Sequence, residues 1–114
     1  MSIICKRGVS LDGCGPEILR ALIAIDPLYD KHGLNTVVTS GSEKHQKHSA
    51  HRSAHYRGDA ADTRSKSLPE EERPKMLRKI KRKLGPDYVV ILESKGKPNE
   101  HFHIHWSPVF GGTT

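Results

Sequence analysis

The sequence predicts an α+β domain in which a small antiparallel sheet is flanked by two main helices. Two observations predict the helices, because apolar residues recur at helical spacing over 16–29 and again over 68–84. A third predicts the sheet, since short β-rich segments stand between and after these stretches, the last two joined by a turn. The order helix, strand, loop, strand, helix, hairpin is typical of the α+β class.

Length and charge limit what such a chain can be. Its 114 residues suffice for one domain, over 1–114, with residues 1–7 and 109–114 expected to be peripheral or frayed. The formal net charge of +6 favours an acidic partner, such as nucleic acid, anionic lipid headgroups or acidic bacterial wall polymers. No apolar run is long enough for a transmembrane segment or a signal-peptide core, so we expect a chain made in the cytoplasm.

The first helix is predicted to begin at Pro16, because proline is favoured in the first helical turn. Pro27 lies inside the run and is expected to kink or end the helix, since it has no amide hydrogen to donate. Gly33 is the expected stop. The predicted apolar face consists of Ile18, Leu19, Leu22, Ile23, Ile25 and Tyr29.

Two strands and a long loop are predicted next. Residues 36–39 are β-rich and predict a strand. Residues 41–54 are polar and without hydrophobic period, so they predict a loop. A second strand over 60–64 carries Asp62.

The second helix opens at 68–72, with its regular part starting near Pro74 and its end before Gly85. Acids in its first turn and basic residues in its last turn complement the helix dipole. The predicted buried face consists of Met76, Leu77, Ile80 and Leu84. A hairpin follows, with strands over 88–93 and 100–106 and a turn over 95–99.

Seven of the eight histidines fall in two clusters, and the first of these ends in the pattern S-x-H-x-x-G-x-A-x-D. The pattern is formed by Ser53, His55, Gly58, Ala60 and Asp62. His55 and Asp62 are residue types that bind divalent metals, Gly58 permits a tight backbone, and Ala60 leaves space beside an ion. Taken alone, this spacing is also consistent with a surface histidine and a turn acid.

The second histidine cluster lies in the last predicted strand. Alternate residues of a strand face the same way, so His101, His103 and His105 share one face. The opposite face carries Phe102, Ile104 and Trp106 and is suited to a core. Two imidazoles and a carboxylate drawn from the two clusters can bind a divalent cation and leave a coordination position open, as catalytic zinc sites do.

A carboxylate beside such a metal is the natural general base, and two glutamates are candidates. Glu100 precedes His103 by three residues. Strict alternation would place Glu100 on the opposite face from His103, so this role requires an irregular start to the strand after Pro98 and Asn99. Glu93, at the end of the preceding strand, is the second candidate.

The two motifs together resemble the D-Ala-D-Ala carboxypeptidase family of zinc peptidases. This family includes VanY-type carboxypeptidases, D-Ala-D-Ala dipeptidases and phage L-alanyl-D-glutamate endolysins. The resemblance covers roughly residues 8–108 and includes the flanking segments 37–41 and 106–108. It implies the hedgehog/D-Ala-D-Ala zinc-peptidase fold.

The resemblance also implies a set of site residues. One Zn²⁺ per chain is bound by His55, Asp62 and His103, the catalytic carboxylate is Glu100, and His101 helps to stabilise the oxyanion. Substrate-facing positions implied by the loop are Ser53, Arg52 and His48, with Lys47 a further candidate for binding a substrate carboxylate.

Two features depart from the family pattern. The loop around His48 looks slightly longer than usual, which leaves its substrate contacts open. His105 stands where small relatives commonly have an acid, so a shifted register with His105 as the ligand, instead of His103, is an alternative. That register would place Phe102 three residues before the ligand, where no base could act.

The resemblance implies a peptidase that hydrolyses a peptide bond in bacterial peptidoglycan, as a carboxypeptidase or as an endolysin-type endopeptidase. We expect a monomer without a separate wall-binding domain, acting on the cell wall after phage-mediated release. The alternative is a non-catalytic, zinc-containing wall-binding or phage structural protein. Nucleic acid is not expected as a partner, because the basic face over 75–83 lacks interleaved aromatic residues and any recognised motif.

Overall fold

A computed structural model describes residues 2–43, 55 and 57–108, and five strands within it form one mixed sheet in the order β1-β2-β3-β5-β4. The elements are β1 (Ile3–Cys5), α1 (Pro16–Asp30), β2 (Thr36–Ser40), β3 (Ala60–Arg64), a short 3₁₀ helix (Glu70–Glu72), α2 (Arg73–Leu84), β4 (Tyr88–Glu93) and β5 (His101–Trp106). The α+β class with two main helices is confirmed.

The prediction of a purely antiparallel sheet is wrong at β1. This strand pairs with β2 in parallel, whereas the pairs β2–β3, β3–β5 and β4–β5 are antiparallel. The physical reason is the connection between them. Because α1 crosses from the end of β1 back to the start of β2, the two strands enter the sheet in the same direction. Residues 3–5, expected to be peripheral, therefore form an edge strand.

The apolar face predicted for α1 is wider than the face that the structure buries. Ile18, Leu22 and Ile25 are buried, but Leu19 is 38% exposed and Ile23 is 66% exposed. Pro27 does not end the helix, which continues to Asp30. An amide hydrogen at position 27 would have bonded the carbonyl of Ile23. Because Ile23 lies on the solvent-exposed side of the helix, water can bond that carbonyl instead.

Both helices end near the predicted glycines. Gly33 has a φ of +70°, and the amide of Leu34 donates back to the carbonyl of Tyr29 at 3.1 Å, which closes α1. α2 begins at Arg73, next to Pro74, and ends before Gly85. Its predicted face packs against the core, with Met76 and Ile80 buried and Leu77 and Leu84 partly buried.

Strand alternation separates the two faces of the sheet. Phe102 and Ile104 of β5 are buried in the core together with side chains of both helices. His103, the residue between them, points to the other face. None of the helices in the described residues is long and apolar enough to cross a membrane.

Candidate metal centre

Three predicted ligands meet on the face of the sheet opposite the helices. The β3–β5 register places Asp62 directly across from His103, and His55 reaches the same point from the turn before β3. The side-chain donor atoms of these three residues lie within 4.8 Å of one another. His103 is fully buried, His55 is 3% exposed and Asp62 is 9% exposed.

The turn that delivers His55 depends on Gly58. This glycine has a φ of +78°, and a Cβ placed there would lie 2.0 Å from the carbonyl oxygen of Gly13. The amide of Gly58 donates to the carbonyl of His55 at 3.0 Å, and its own carbonyl accepts from Gly15 at 2.9 Å. Only glycine fits both the dihedral angle and this close approach of two backbone segments.

The orientation of the His55 ring is determined by the backbone. Its Nδ1 lies 2.9 Å from the carbonyl oxygen of Gly41, and since a carbonyl only accepts, Nδ1 carries the hydrogen. In the neutral ring the Nε2 lone pair then faces Oδ1 of Asp62 at 3.5 Å. Two acceptors that face each other in a buried place are stabilised by a cation between them.

His103 occupies the middle of a hydrogen-bonded chain. Its Nδ1 lies 2.8 Å from Oδ1 of Asp62, and its Nε2 lies 2.9 Å from Nδ1 of His105. If Nε2 carries the ring hydrogen and donates it to His105, Nδ1 presents a lone pair to the same point as His55. A metal-binding histidine whose other nitrogen donates to a neighbour is the usual arrangement in proteins.

The negative charge of Asp62 favours cation binding. Burial acts to raise the pKa of Asp62, but hydrogen bonds from His103 and His55 outweigh it and hold this pKa well below the usual range for an aspartic acid. For His55, burial acts to lower the pKa, whereas the hydrogen bond and charge of Asp62 raise it above the usual value for histidine. Asp62 is therefore an anion at neutral pH.

The three residues fit a zinc ion in type and spacing. Tetrahedral zinc with bonds of about 2 Å requires ligand atoms roughly 3.3 Å apart. The distance from His55 Nε2 to Asp62 Oδ1 is 3.5 Å, and the distance from His103 Nδ1 to the same oxygen is 2.8 Å, a hydrogen bond that would have to open slightly. Two imidazoles and one carboxylate are a common donor set of catalytic zinc sites.

Glu93 and His101 flank the three ligands. Glu93 is the cross-strand partner of His101, and its Oε1 lies 2.9 Å from His101 Nε2 and 4.0 Å from His103 Nδ1. His101 Nε2 is also 3.4 Å from Oδ2 of Asp62. The ring is held from its other side, where Nδ1 donates to the carbonyl of Asn99 at 2.7 Å.

Glu100, the predicted catalytic carboxylate, is directed elsewhere. It is 5% exposed, and its Oε1 accepts from the hydroxyl of Ser65 at 2.6 Å and pairs with Arg73 at 3.1 Å. Its Oε2 accepts from the amide of Gly96 at 3.0 Å. Burial acts to raise the pKa of Glu100, but these contacts outweigh it and lower the pKa below the usual value for a glutamic acid.

The cause of this placement is the alternation noted in the sequence. β5 begins at His101, and Glu100 just before it keeps the orientation of Phe102, toward the side where α2 begins. The irregular strand start that Glu100 required does not bring its carboxylate to the ligands. Of the two candidate bases, the structure brings Glu93 together with the predicted ligands.

The register also separates His103 from His105. Asp62 pairs with His103, whereas His105 pairs with Ala60, one step farther along the strand. His105 is thus the hydrogen-bond partner of a predicted ligand and does not take its place. Ser53, Arg52 and His48, the predicted substrate-binding residues, lie outside the described residues, as does Lys47.

A cavity of about 420 Å³ opens beside Asp62 and His101, and Glu100 also lies in its wall. Its wall includes three basic residues that the sequence analysis did not single out, Lys6, Arg64 and Lys66. Arg64 could have been found from the sequence, since it follows Asp62 by two residues on a strand and must share its face. Lys6 could not, because it reaches the cavity only through the parallel pairing of β1.

Comparison with known proteins gives no match to a family model, to a curated protein or to a solved structure.

Proposed function

We propose that this protein is a zinc-dependent peptidase with the hedgehog/D-Ala-D-Ala peptidase fold that hydrolyses a peptide bond of bacterial peptidoglycan. The observation that carries the proposal is the convergence of His55, Asp62 and His103, with Glu93 and His101 beside them. A structural zinc site is closed by four protein ligands, whereas this cluster offers three, and two of its residues, Asp62 and His101, lie in the wall of a cavity.

Nε2 of His55, Oδ1 of Asp62 and Nδ1 of His103 would hold the zinc ion. A bound zinc ion supplies Lewis acidity, which polarises the scissile carbonyl and makes a water molecule easier to deprotonate. Contacts within the chain orient these ligands and keep Asp62 ionised. Gly41 orients the His55 ring, His105 orients the His103 ring, and the low pKa keeps Asp62 ionised.

Glu93 is the proposed general base. Its Oε1 lies 4.0 Å from a ligand nitrogen of His103, which puts it within reach of a water molecule in the same cluster. It would accept a proton from that water and later pass the proton to the leaving amine. Glu100, the base implied by the family resemblance, has both of its oxygens engaged by Ser65, Arg73 and Gly96.

His101 is the proposed oxyanion stabiliser. Because Nδ1 donates to the carbonyl of Asn99, a protonated Nε2 has its hydrogen directed into the cluster, toward Asp62 and Glu93. A donor aimed at the place where negative charge develops stabilises the transition state more than the substrate. Its fixed ring needs no reorganisation during the reaction.

The basic cavity supports an anionic substrate. Lys6, Arg64 and Lys66 surround the space next to Asp62 and His101, and the whole chain has a net charge of +6. Peptidoglycan peptides carry free carboxylates, which arginine and lysine bind well. We propose that the protein meets this substrate at the cell wall after phage-mediated release.

The test is digestion of purified peptidoglycan by zinc-loaded protein, followed by mass analysis of the fragments. The expected result is release of peptide fragments whose masses identify the bond that is cut. The matched controls are His55→Ala, which should lose both metal and activity, and Glu93→Gln, which should keep the metal and lose hydrolysis. Binding of wall fragments by the zinc-loaded wild type without any new fragment would refute the peptidase and support the non-catalytic alternative.

A further inference from the structure

We propose that Asp62, Glu93 and His101 form a second divalent-cation site beside the first, sharing Asp62 with it, and that its occupation inhibits hydrolysis. The binding part of this proposal depends only on the donor atoms. The inhibitory part rests on the proposed function, because it assigns Glu93 and His101 to the reaction.

The donor atoms of this second site converge as closely as those of the first. His101 Nε2 lies 2.9 Å from Oε1 of Glu93 and 3.4 Å from Oδ2 of Asp62. One donor atom from each of the three residues falls within a 4.8 Å cluster. All three side chains are more than four-fifths buried but still in contact with solvent, so an ion has a path of entry.

The orientation of the His101 ring suits a cation at this place. Nδ1 must carry a hydrogen, because its partner at 2.7 Å is the carbonyl oxygen of Asn99. The remaining nitrogen faces oxygens of two carboxylates. Nε2 lies 2.9 Å from Oε1 of Glu93 and 3.4 Å from Oδ2 of Asp62, so three potential donor atoms converge on one point. A ligand histidine that donates to a backbone carbonyl is the arrangement metal sites favour.

Asp62 is placed to bridge the two sites. Its Oδ1 faces His55 and His103, whereas its Oδ2 faces His101. A carboxylate that uses one oxygen for each of two ions is compatible with the spacing of roughly 3.5–4 Å found in two-metal sites. The second site has one imidazole where the first has two, and it is more exposed, so it should bind zinc more weakly.

Occupation of the second site would remove the groups that act on substrate. An ion bound to Glu93 and His101 takes the lone pair that accepts the proton from water and the nitrogen that donates to the oxyanion. Activity should therefore rise as the first site fills and fall by roughly 100-fold or more as the second fills, which is the usual contribution of general acid–base catalysis.

The experiment is an equilibrium zinc titration of the full chain, with bound metal counted by native mass spectrometry and hydrolysis followed in parallel. Wild type should bind a tight ion and then a weaker one. Glu93→Gln and His101→Asn should each lose the weaker ion and keep the tight one. Glu71→Gln, an exposed acid of the 3₁₀ helix, is the matched control and should bind both.

Three results would overturn the proposal. The first is a wild type that never binds a second ion. The second is a second ion that persists in both Glu93→Gln and His101→Asn, which would place it elsewhere, for example among the histidines of the loop. The third is X-ray absorption of doubly loaded protein without zinc–zinc scattering at roughly 3.5–4 Å. Failure of the singly loaded protein to hydrolyse peptidoglycan would instead refute the proposed function, whatever the metal count.

Discussion

Glu93 and Glu100 stand at the two ends of one hairpin turn, yet their surroundings differ completely. Glu93 faces the open side of the sheet, where His101 and His103 are its neighbours. Glu100 also lines the cavity beside Asp62 and His101, but Ser65, Gly96 and Arg73 engage both of its carboxylate oxygens. The groups that a carboxylate contacts, more than its distance along the chain from a candidate ligand, therefore determine whether it can act at the cluster.

The largest expected effect is on catalysis at Glu93. Glu93→Gln keeps the side-chain volume but removes the proton acceptor, so we expect kcat to fall by about 100- to 10,000-fold with the tight zinc ion retained. Steady-state hydrolysis and metal analysis of the same preparation measure both quantities. Glu100→Gln is the paired variant and should keep most of its activity while folded. The opposite result, with activity lost in Glu100→Gln alone, would restore the base implied by the family resemblance.

The second effect is on stability at Glu100. Glu100→Gln removes the charge that pairs with Arg73 and weakens the hydrogen bond from Ser65, so the free energy of unfolding should fall by roughly 1–3 kcal/mol. Urea unfolding of the metal-free proteins measures it. Glu93→Gln should change this free energy less, since the Glu93 side chain is 19% exposed, against 2% for Glu100. Equal losses in both variants would contradict the contrast between the two glutamates.

The third effect is the pH dependence of the stabilisation that Glu100 contributes. The pKa of Glu100 is lower in the folded chain than in the unfolded chain, so its stabilisation is fully present above the unfolded value and is lost as pH falls toward the folded one. The stability difference between wild type and Glu100→Gln should therefore be constant near neutral pH and shrink as pH falls below about 4.3, the ordinary value for glutamic acid. A difference that grows on acidification would contradict the sign of the shift.

The smallest effect is expected at Ser65, whose hydroxyl donates a hydrogen bond to Glu100. Ser65→Ala removes the 2.6 Å hydrogen bond and leaves the pairing with Arg73, so we expect a loss of about 1 kcal/mol. Thermal unfolding measures this loss. In a double-mutant cycle, Ser65 should couple to Glu100 and not to Glu93. A coupling energy between Ser65 and Glu93 would contradict the separation of the two glutamates.

Much of this contrast was accessible from the sequence. The bounds of β3 and β4 follow from their composition, and once β4 and β5 are paired across a turn, Glu93 falls opposite His101. The alternation that places Glu100 with Phe102 was also evident. The family pattern favoured Glu100 because a linear motif records spacing, whereas the direction of a side chain depends on where a strand becomes regular.

Other features required long-range contacts. Leu19 and Ile23 have the right spacing for the core, but the area that the sheet offers α1 is narrower than its apolar stripe. The direction of β1 depends on the crossover of α1, and short apolar segments carry no mark of parallel or antiparallel pairing. Lys6 enters the cavity only because of that pairing.

The amino-acid sequence defines the α+β class and most element bounds, since periodicity and residue type are local properties. The family resemblance of its motifs adds His55, Asp62 and His103 as candidate metal ligands. Tertiary packing alone defines the contacts around these candidates. It engages both oxygens of Glu100 with Ser65, Gly96 and Arg73, and it brings Lys6 to the cavity wall beside Asp62. Those relations depend on strand register and sheet order, which arise from packing between segments far apart in the chain.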